Sequence, residues 1–197
     1  MSRDRAKRQR TVAERAGLRW PTLAQRTARS VLRLPPNSRV RSALLHRAAQ
    51  AAFEAWNRGD FELVPYIDDP AVETRFTQNS REVVGLDSVY YGPEGHCRAM
   101  EAWNEAWQDW DAEIDEVIDQ GRDQILVIGR IHAVGAASGI ELDEWGAVRY
   151  TFRDGRVLRV DGAFESDRNQ VIEALGQSGS RKREPEPRRL WEYLKWS

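Results

Sequence analysis

The stretch EWGAVRYTFRDGRVLRVDGAF, residues Glu144–Phe164, constrains this chain more than any other. Val148, Tyr150 and Phe152 fall at every second position before Asp154-Gly155, and Leu158, Val160, Gly162 and Phe164 do so after it. Period two puts each set on one face of a strand, and Asp-Gly is a strong reversal signal. A hairpin apolar on one face belongs to an antiparallel sheet packed against something apolar. Parity also predicts the loop. A two-residue loop, Asp154-Gly155, sets the two apolar faces on opposite sides. A three-residue loop, Arg153-Asp154-Gly155, pairs Phe152 with Arg156 and Tyr150 with Leu158, which matches them. The three-residue loop, with Gly155 left-handed in a bulged turn, is therefore expected. Arg149, Arg159, Asp161 and Glu165 then point outward, to a solvated or dimer-forming surface.

Upstream, the spacing changes. Leu45, Ala49, Ala52, Phe53 and Trp56 recur every three or four residues, one apolar face of a helix that Gly59 can end. A short helix is expected at Phe61–Ile67, then a strand through Val72, Thr74 and Phe76, then a loop over 78–92 with a weak strand at Val83 and Val84. Gly92-Pro93 opens a third helix in which His96, Met100, Trp103, Trp107 and Trp110 form one stripe. From Asp111 the period returns to two, with strands at Ala112–Asp119, Gln124–Val134, Ile140–Phe152 and Arg156–Phe164. Asp167 caps a closing helix that Gly176 stops.

Charge divides the chain. Residues 1–41 hold 12 Lys and Arg against Asp4 and Glu14, whereas residues 42–176 hold 12 basic and 26 acidic residues. Residues 1–42 therefore read as a basic, flexible extension with a transient helix near Thr22–Leu34, bounded by Pro35-Pro36. Such an arm can fold back on the acidic body, or meet nucleic acid or anionic lipid. Residues 177–197 read as a tail in which Leu190, Trp191, Tyr193, Leu194 and Trp196 could dock as a short helix. Cys97 stands alone, which points to a reducing, cytoplasmic setting. No run of about 18 apolar residues exists to span a membrane. The N-terminus has no secretory core, although its Arg-rich, acid-poor composition is similar to that of a mitochondrial transit peptide.

Three segments, AFEAWNRGDFELVPYIDD (52–69), the Trp-rich helix (93–110) and FRDGRVLRVDGAFESDRNQVIEALG (152–176), carry a resemblance covering about residues 43–176. In order and spacing the chain resembles the SnoaL-like branch of the nuclear transport factor 2-like superfamily. The resemblance implies an α+β cone, a curved antiparallel sheet wrapped over three helices around a mostly apolar pocket. That family includes ketosteroid isomerase, polyketide cyclases, limonene epoxide hydrolase, dehydratases and non-enzymatic binding modules, so fold alone does not assign function. The isomerase's catalytic tyrosine, base and buried acid fall near Ala52, Thr74 and Val148, none of which can do that chemistry. The three histidines lack metal-ligand spacing, and no phosphate loop or nucleophile elbow is present. No cofactor or metal is expected, and the core lacks the interleaved basic and aromatic residues of a nucleic-acid surface.

A five-residue loop at 135–139 would set Arg130 opposite Glu144 and His132 opposite Leu142, on the face of Leu126, Ile128, Val148 and Tyr150. Glu144, His132 and Arg130 are then the candidate acid–base residues. Trp56, Trp103, Trp107, Tyr150 and Phe164 are the candidate ligand-binding residues. An Arg, a carboxylate and an imidazole on an apolar wall suit general acid–base work. The structural alternative is an Arg130–Glu144 ion pair at the sheet rim. Two functions follow: a cofactor-free cyclase, isomerase or hydrolase acting on an apolar small molecule, or a non-catalytic binding or dimerisation module.

Overall fold

The computed structural model describes residues 10–36, 38–121 and 123–180. Helices α1 (Val12–Arg19), α2 (Pro21–Leu32), α3 (Arg39–Asn57) and α4 (Val64–Ile67) precede strand β1 (Asp68–Phe76). Helix α5 (Gln78–Val84), strand β2 (Val89–Tyr91) and helix α6 (Gly92–Ala106) follow; the first two fall in a region expected to be loop, and Val83 and Val84, expected in a weak strand, are helical. Strands β3 (Trp107–Gly121), β4 (Gln124–Gly135), β5 (Glu141–Arg153) and β6 (Arg156–Glu165) lead to α7 (Arg168–Ser180). The sheet runs β2-β1-β6-β5-β4-β3, antiparallel except for the β1–β6 pair. It is curved and unclosed, the α+β cone expected from the sequence.

Curvature has a local cause. Gly129 and Gly146 are direct partners across β4 and β5. A Cβ on Gly129 would lie 2.1 Å from the Glu113 carbonyl oxygen, and one on Gly146 would lie 2.6 Å from Ile131 Cδ1. Strand β3 shifts register between Ile114 and Glu116, next to Gly129. Glycines and a bulge on one line let the sheet bend where side chains would collide.

The concave face packs on α3 and α6. Leu45, Ala49 and Phe53 of α3 meet Trp103 of α6 and Trp110, Ile125, Val127, Ile131 and Phe164 of the sheet in one core cluster. Helix α3 also shields the free edge of β3, because the Asn57 amide donates to the Ala112 carbonyl and accepts from its N–H. An edge strand protected in this way cannot recruit another chain there. On the convex face, Leu126, Ile128, Ala147 and Ala163 are sealed under Val171 and Leu175 of α7.

Several expectations change. The β5–β6 loop has two residues, with Arg153 opposite Arg156 and both Asp154 (φ 54°) and Gly155 (φ 81°) left-handed. The apolar faces match nonetheless, because Phe152 faces Val157 and Thr151 faces Arg159, leaving Leu158 as an extra residue. A bulge does what the longer loop was expected to do. Trp107 and Trp110 leave the α6 stripe and join β3, where pairing to Gly135 and Ala133 takes over from helix continuation. Asp161, expected on a solvated or dimer-forming outer surface, does lie on the convex face but is buried there and ion-paired with Arg159 at 2.8 Å, with Arg149 and Arg75 as its cross-strand partners. Helix α7 continues past Gly176 to Ser180.

Part of the basic extension is helical and tied to the body. Helix α1 starts with a capping box between Thr11 and Glu14. Arg10 pairs with Asp60 at 2.6 Å, Glu14 with Arg58 at 2.7 Å, and Arg29 with Asp154 at 2.7 Å. Leu32 of α2 joins the concave core. Residues 1–9, and the aromatic residues expected in the tail from Leu190 to Trp196, lie outside the described residues.

Candidate functional site

The three residues expected to converge do not. Strand β5 pairs Glu141 with Val134, one position away from the expected register, so Arg130 faces Trp145, Ile131 faces Glu144 and His132 faces Asp143. A one-residue slip sends every side chain to the other face. Arg130 and His132 therefore lie on the convex face with Leu126 and Ile128. There Arg130 ion-pairs with Asp143, His132 Nδ1 is 3.3 Å from the same carboxylate, and the Arg130 guanidinium lies 5.0 Å from the Trp145 ring centroid. Glu144 alone points to the concave side. Its Oε2 is buried without a partner, and burial, reinforced by Glu165, pushes its carboxyl up.

The expected ligand-lining aromatics do meet, though tightly. Trp103, 2% exposed, sits at the centre. Its ring lies 4.7 Å from Phe164, 5.5 Å from Trp56, 5.5 Å from Trp107 and 5.8 Å from Trp110. Trp110 Nε1 donates to Asn104, but the indole N–H groups of Trp56, Trp103 and Trp107 are buried without an acceptor. Unpaired buried donors are uncommon, because each forgoes its hydrogen bond to water.

Towards the other end of β5 the concave face is lined by half-buried apolar residues packed on Val72, Val157 and Val160. Val148, Tyr150 and Phe152 keep some exposure, whereas Ala147 and Ala163 on the convex side are 1% and 0% exposed. Tyr150 and Phe152 stack with ring centroids 6.5 Å apart. Beside them lies the pair that sequence reasoning missed. Asp68, at the start of β1, accepts from His96 Nδ1 at 2.8 Å, and both side chains are buried. His96, Ala99 and Trp103 are the buried stripe of α6, so the imidazole shares the inward side of Trp103, two turns earlier.

Electrostatics couple this pair to Tyr150. Burial raises the Asp68 carboxyl; the His96 bond opposes that shift and the Asp69 charge adds to it. Burial, then the Asp68 charge, pushes the Tyr150 phenol far above its ordinary value, so it stays protonated at neutral pH. Asp68 Oδ1 and the Thr74 hydroxyl are buried without partners. Against an ionised Asp68, Nδ1 donates, and in the neutral imidazole Nε2 is then the acceptor. Nε2 makes no hydrogen bond among the described residues and is not one of the sealed, unpartnered atoms. A base oriented by a carboxylate, next to a neutral phenol donor, can move a proton and polarise an oxygen. The one signal for it in the sequence was a histidine on an otherwise apolar helix stripe, which needs a polar partner if buried.

A family model described as SnoaL-like domain matches residues 49–160. Among solved structures, an NTF2-like protein of unknown function from Burkholderia pseudomallei is 18% identical, with a TM-score of 0.54, over 66% of this chain and 95% of that one. TerC, co-crystallised with polyporic acid, is 21% identical, with a TM-score of 0.52, over 66% of this chain and 97% of its own. Bal32a, from a soil-derived mobile gene cassette, is 16% identical, with a TM-score of 0.51, over 62% and 90%. Identities this low establish shared fold alone. No protein of curated function matches. Helices α1, α2 and α7 lie outside the matched segment.

Proposed function

This chain belongs to the SnoaL-like domain family, and from that premise we propose that it is a cofactor-free acid–base enzyme acting on an apolar small molecule with a carbonyl group. The observation that carries the reading is the buried Asp68–His96 pair beside Tyr150 on the concave face. The ligand lies flat against Tyr150 and Phe152, with one edge against the aromatic cluster of Trp56, Trp103, Trp107 and Phe164. Asp68 holds the His96 ring with Nε2 unprotonated. Nε2 removes a proton from the carbon next to the carbonyl; the C–H electron pair forms the C=C bond of an enolate, and the carbonyl π pair moves to oxygen. The Tyr150 hydroxyl donates to that oxygen as charge develops, a contact of the kind worth about a hundredfold or more in rate. His96 returns the proton to the same carbon, giving exchange, or to the far carbon of a conjugated enolate, giving isomerisation. Where the substrate carries a second carbonyl, the enolate carbon attacks the carbon of that carbonyl to close a ring, and His96 protonates the resulting alkoxide.

The test is deuterium exchange. The protein is incubated in D2O with a panel of aryl ketones bearing an enolisable C–H, and exchange is followed by NMR. Exchange that is lost in His96→Gln and Asp68→Asn, and reduced in Tyr150→Phe, supports the reading. Exchange that persists unchanged in folded Asp68→Asn and His96→Gln sinks it.

The packing of Trp103 favours a second reading, a module without catalysis. Four aromatic rings within 5.8 Å of Trp103 occupy much of the cone, and Asp68–His96 would then be a structural pair. In that case no ketone shifts the tryptophan emission, and Asp68→Asn changes stability alone.

A further inference from the structure

The corner between α1 and α2 has two unlike sides. Its inner side is engaged: Glu14 and Leu32 are buried, and Gly17 packs on Leu63. Its outer side combines two things a soluble surface usually keeps apart. Val12, Trp20 and Leu23 are 75%, 55% and 59% exposed. Near them stand Arg15, Arg19 and Arg26, with Arg33 at the far end of α2, all exposed and without an ion pair among the described residues. Arg19 lies 5.7 Å from the Trp20 ring centroid. Arg19, Trp20, Pro21, Thr22, Leu23 and Arg26 together line one shallow surface depression, so the Arg and apolar groups are adjacent in space. This corner falls outside the segment matched by the family model, residues 49–160.

We propose that the α1–α2 corner is a peripheral docking surface for an anionic lipid bilayer. Charge complementarity names the occupant. Residues 10–36 carry six Arg against Glu14, while residues 42–176 carry 26 acids against 12 basic residues. Facing an anionic bilayer, such a molecule turns its basic corner inward and its acidic body away. The apolar groups separate lipid from nucleic acid. A phosphate backbone needs the Arg side chains, but gains nothing from an exposed Val12 and Leu23. The interfacial zone of a bilayer takes up Trp and Leu while the guanidinium groups stay with the headgroups. No helix of the described residues is long and apolar enough to cross the membrane, so the contact is to its surface.

The experiment is co-sedimentation of the full chain with vesicles of phosphatidylcholine alone or mixed with phosphatidylglycerol. The wild type is expected to pellet with the mixed vesicles only. Salt near 1 M, where the screening length falls to about 3 Å, is expected to release it. Arg19→Glu/Arg26→Glu should weaken binding by more than about 25-fold, at roughly fivefold per Arg removed. Trp20→Ser/Leu23→Ser should weaken it by about tenfold or more, with the charge unchanged. Circular dichroism confirms that each variant is folded. The proposal is overturned if the wild type ignores phosphatidylglycerol or if both folded variants pellet like the wild type. Loss of vesicle binding in the Arg variant alone, with tight binding of a DNA duplex that Trp20→Ser/Leu23→Ser leaves untouched, overturns it as well.

Discussion

Arg41 and Asp119, 78 positions apart, form a two-pronged ion pair, with Nε to Oδ2 at 2.7 Å and Nη2 to Oδ1 at 2.9 Å. The same guanidinium donates through Nη1 to the carbonyl oxygens of Leu32 and Leu34. One buried side chain thus joins the end of α2, the start of α3 and the far end of β3. Arg41→Ala should cost about 3–5 kcal/mol in urea unfolding, because Asp119 loses the buried partner that offsets its desolvation. Arg41→Lys should recover little of that, since an ammonium cannot serve the carboxylate and two carbonyls in the planar geometry. A lysine variant as stable as the wild type would refute the clamp.

Gly155 sits where α2 crosses the hairpin. A Cβ there would lie 2.6 Å from the Gln25 carbonyl oxygen and 2.8 Å from the Arg29 N–H nitrogen, at a φ of 81°. Gly155→Ala should therefore destabilise by more than about 1 kcal/mol. It should also lift α2, which limited proteolysis near Pro35-Pro36 would detect. Asp154→Asn tolerates the same left-handed backbone and loses only the exposed Arg29 pair, so its melting temperature should barely move.

Acid should loosen the N-terminal helices early. The Arg10 bond holds the Asp60 carboxyl low, and the Arg153 bond does the same for Asp69. At Glu14 burial pushes the carboxyl up, but bonds from Arg58 and Thr11 outweigh it and bring it below its ordinary value. For groups lowered in the folded state, the stability they add is present above their unfolded values, about 3.9 to 4.3, and is lost as pH falls through the folded ones. Amide exchange in α1 is thus expected to accelerate below about pH 4. Arg10→Gln should flatten that dependence. Asp68 runs the other way: raised chiefly by burial, its contribution shrinks as pH climbs through its folded value.

The Asp68–His96 pair should be strongly non-additive. His96→Leu leaves a buried carboxylate without its partner and is expected to cost about 3–5 kcal/mol. Asp68→Leu with His96→Leu removes both polar groups and should recover much of that loss. A double-mutant cycle in urea reads the coupling, and simple additivity would show that the two groups do not stabilise each other.

Much of the architecture could be read from spacing. The α3 stripe at Leu45, Ala49 and Phe53 is buried as the three- and four-residue period requires. The alternation in β5 and β6 put Tyr150 and Val160 on one side, and they are partners. The site was less legible. Asp68 and His96 are 28 positions apart, at the start of β1 and on a helix stripe, and no local pattern links them. Arg130 and His132 were misplaced for a simpler reason. Their face depends on whether Val134 pairs with Ile140 or with Glu141, and the loop GAASG fits either.

By itself the sequence determined the antiparallel sheet, its apolar content, the helices beneath it and the basic end on an acidic body. Period and composition act locally, so each residue's own neighbourhood suffices to read them. Tertiary structure alone decided which charged side chains entered the cone. Around Asp154-Gly155 a tight turn plus an extra residue at Leu158 kept the apolar faces together. At the next hairpin a one-residue difference in register turned Arg130 and His132 outward and left Glu144 inside. Alternation reports that a strand has two faces; only the turn and the packing fix which face is buried.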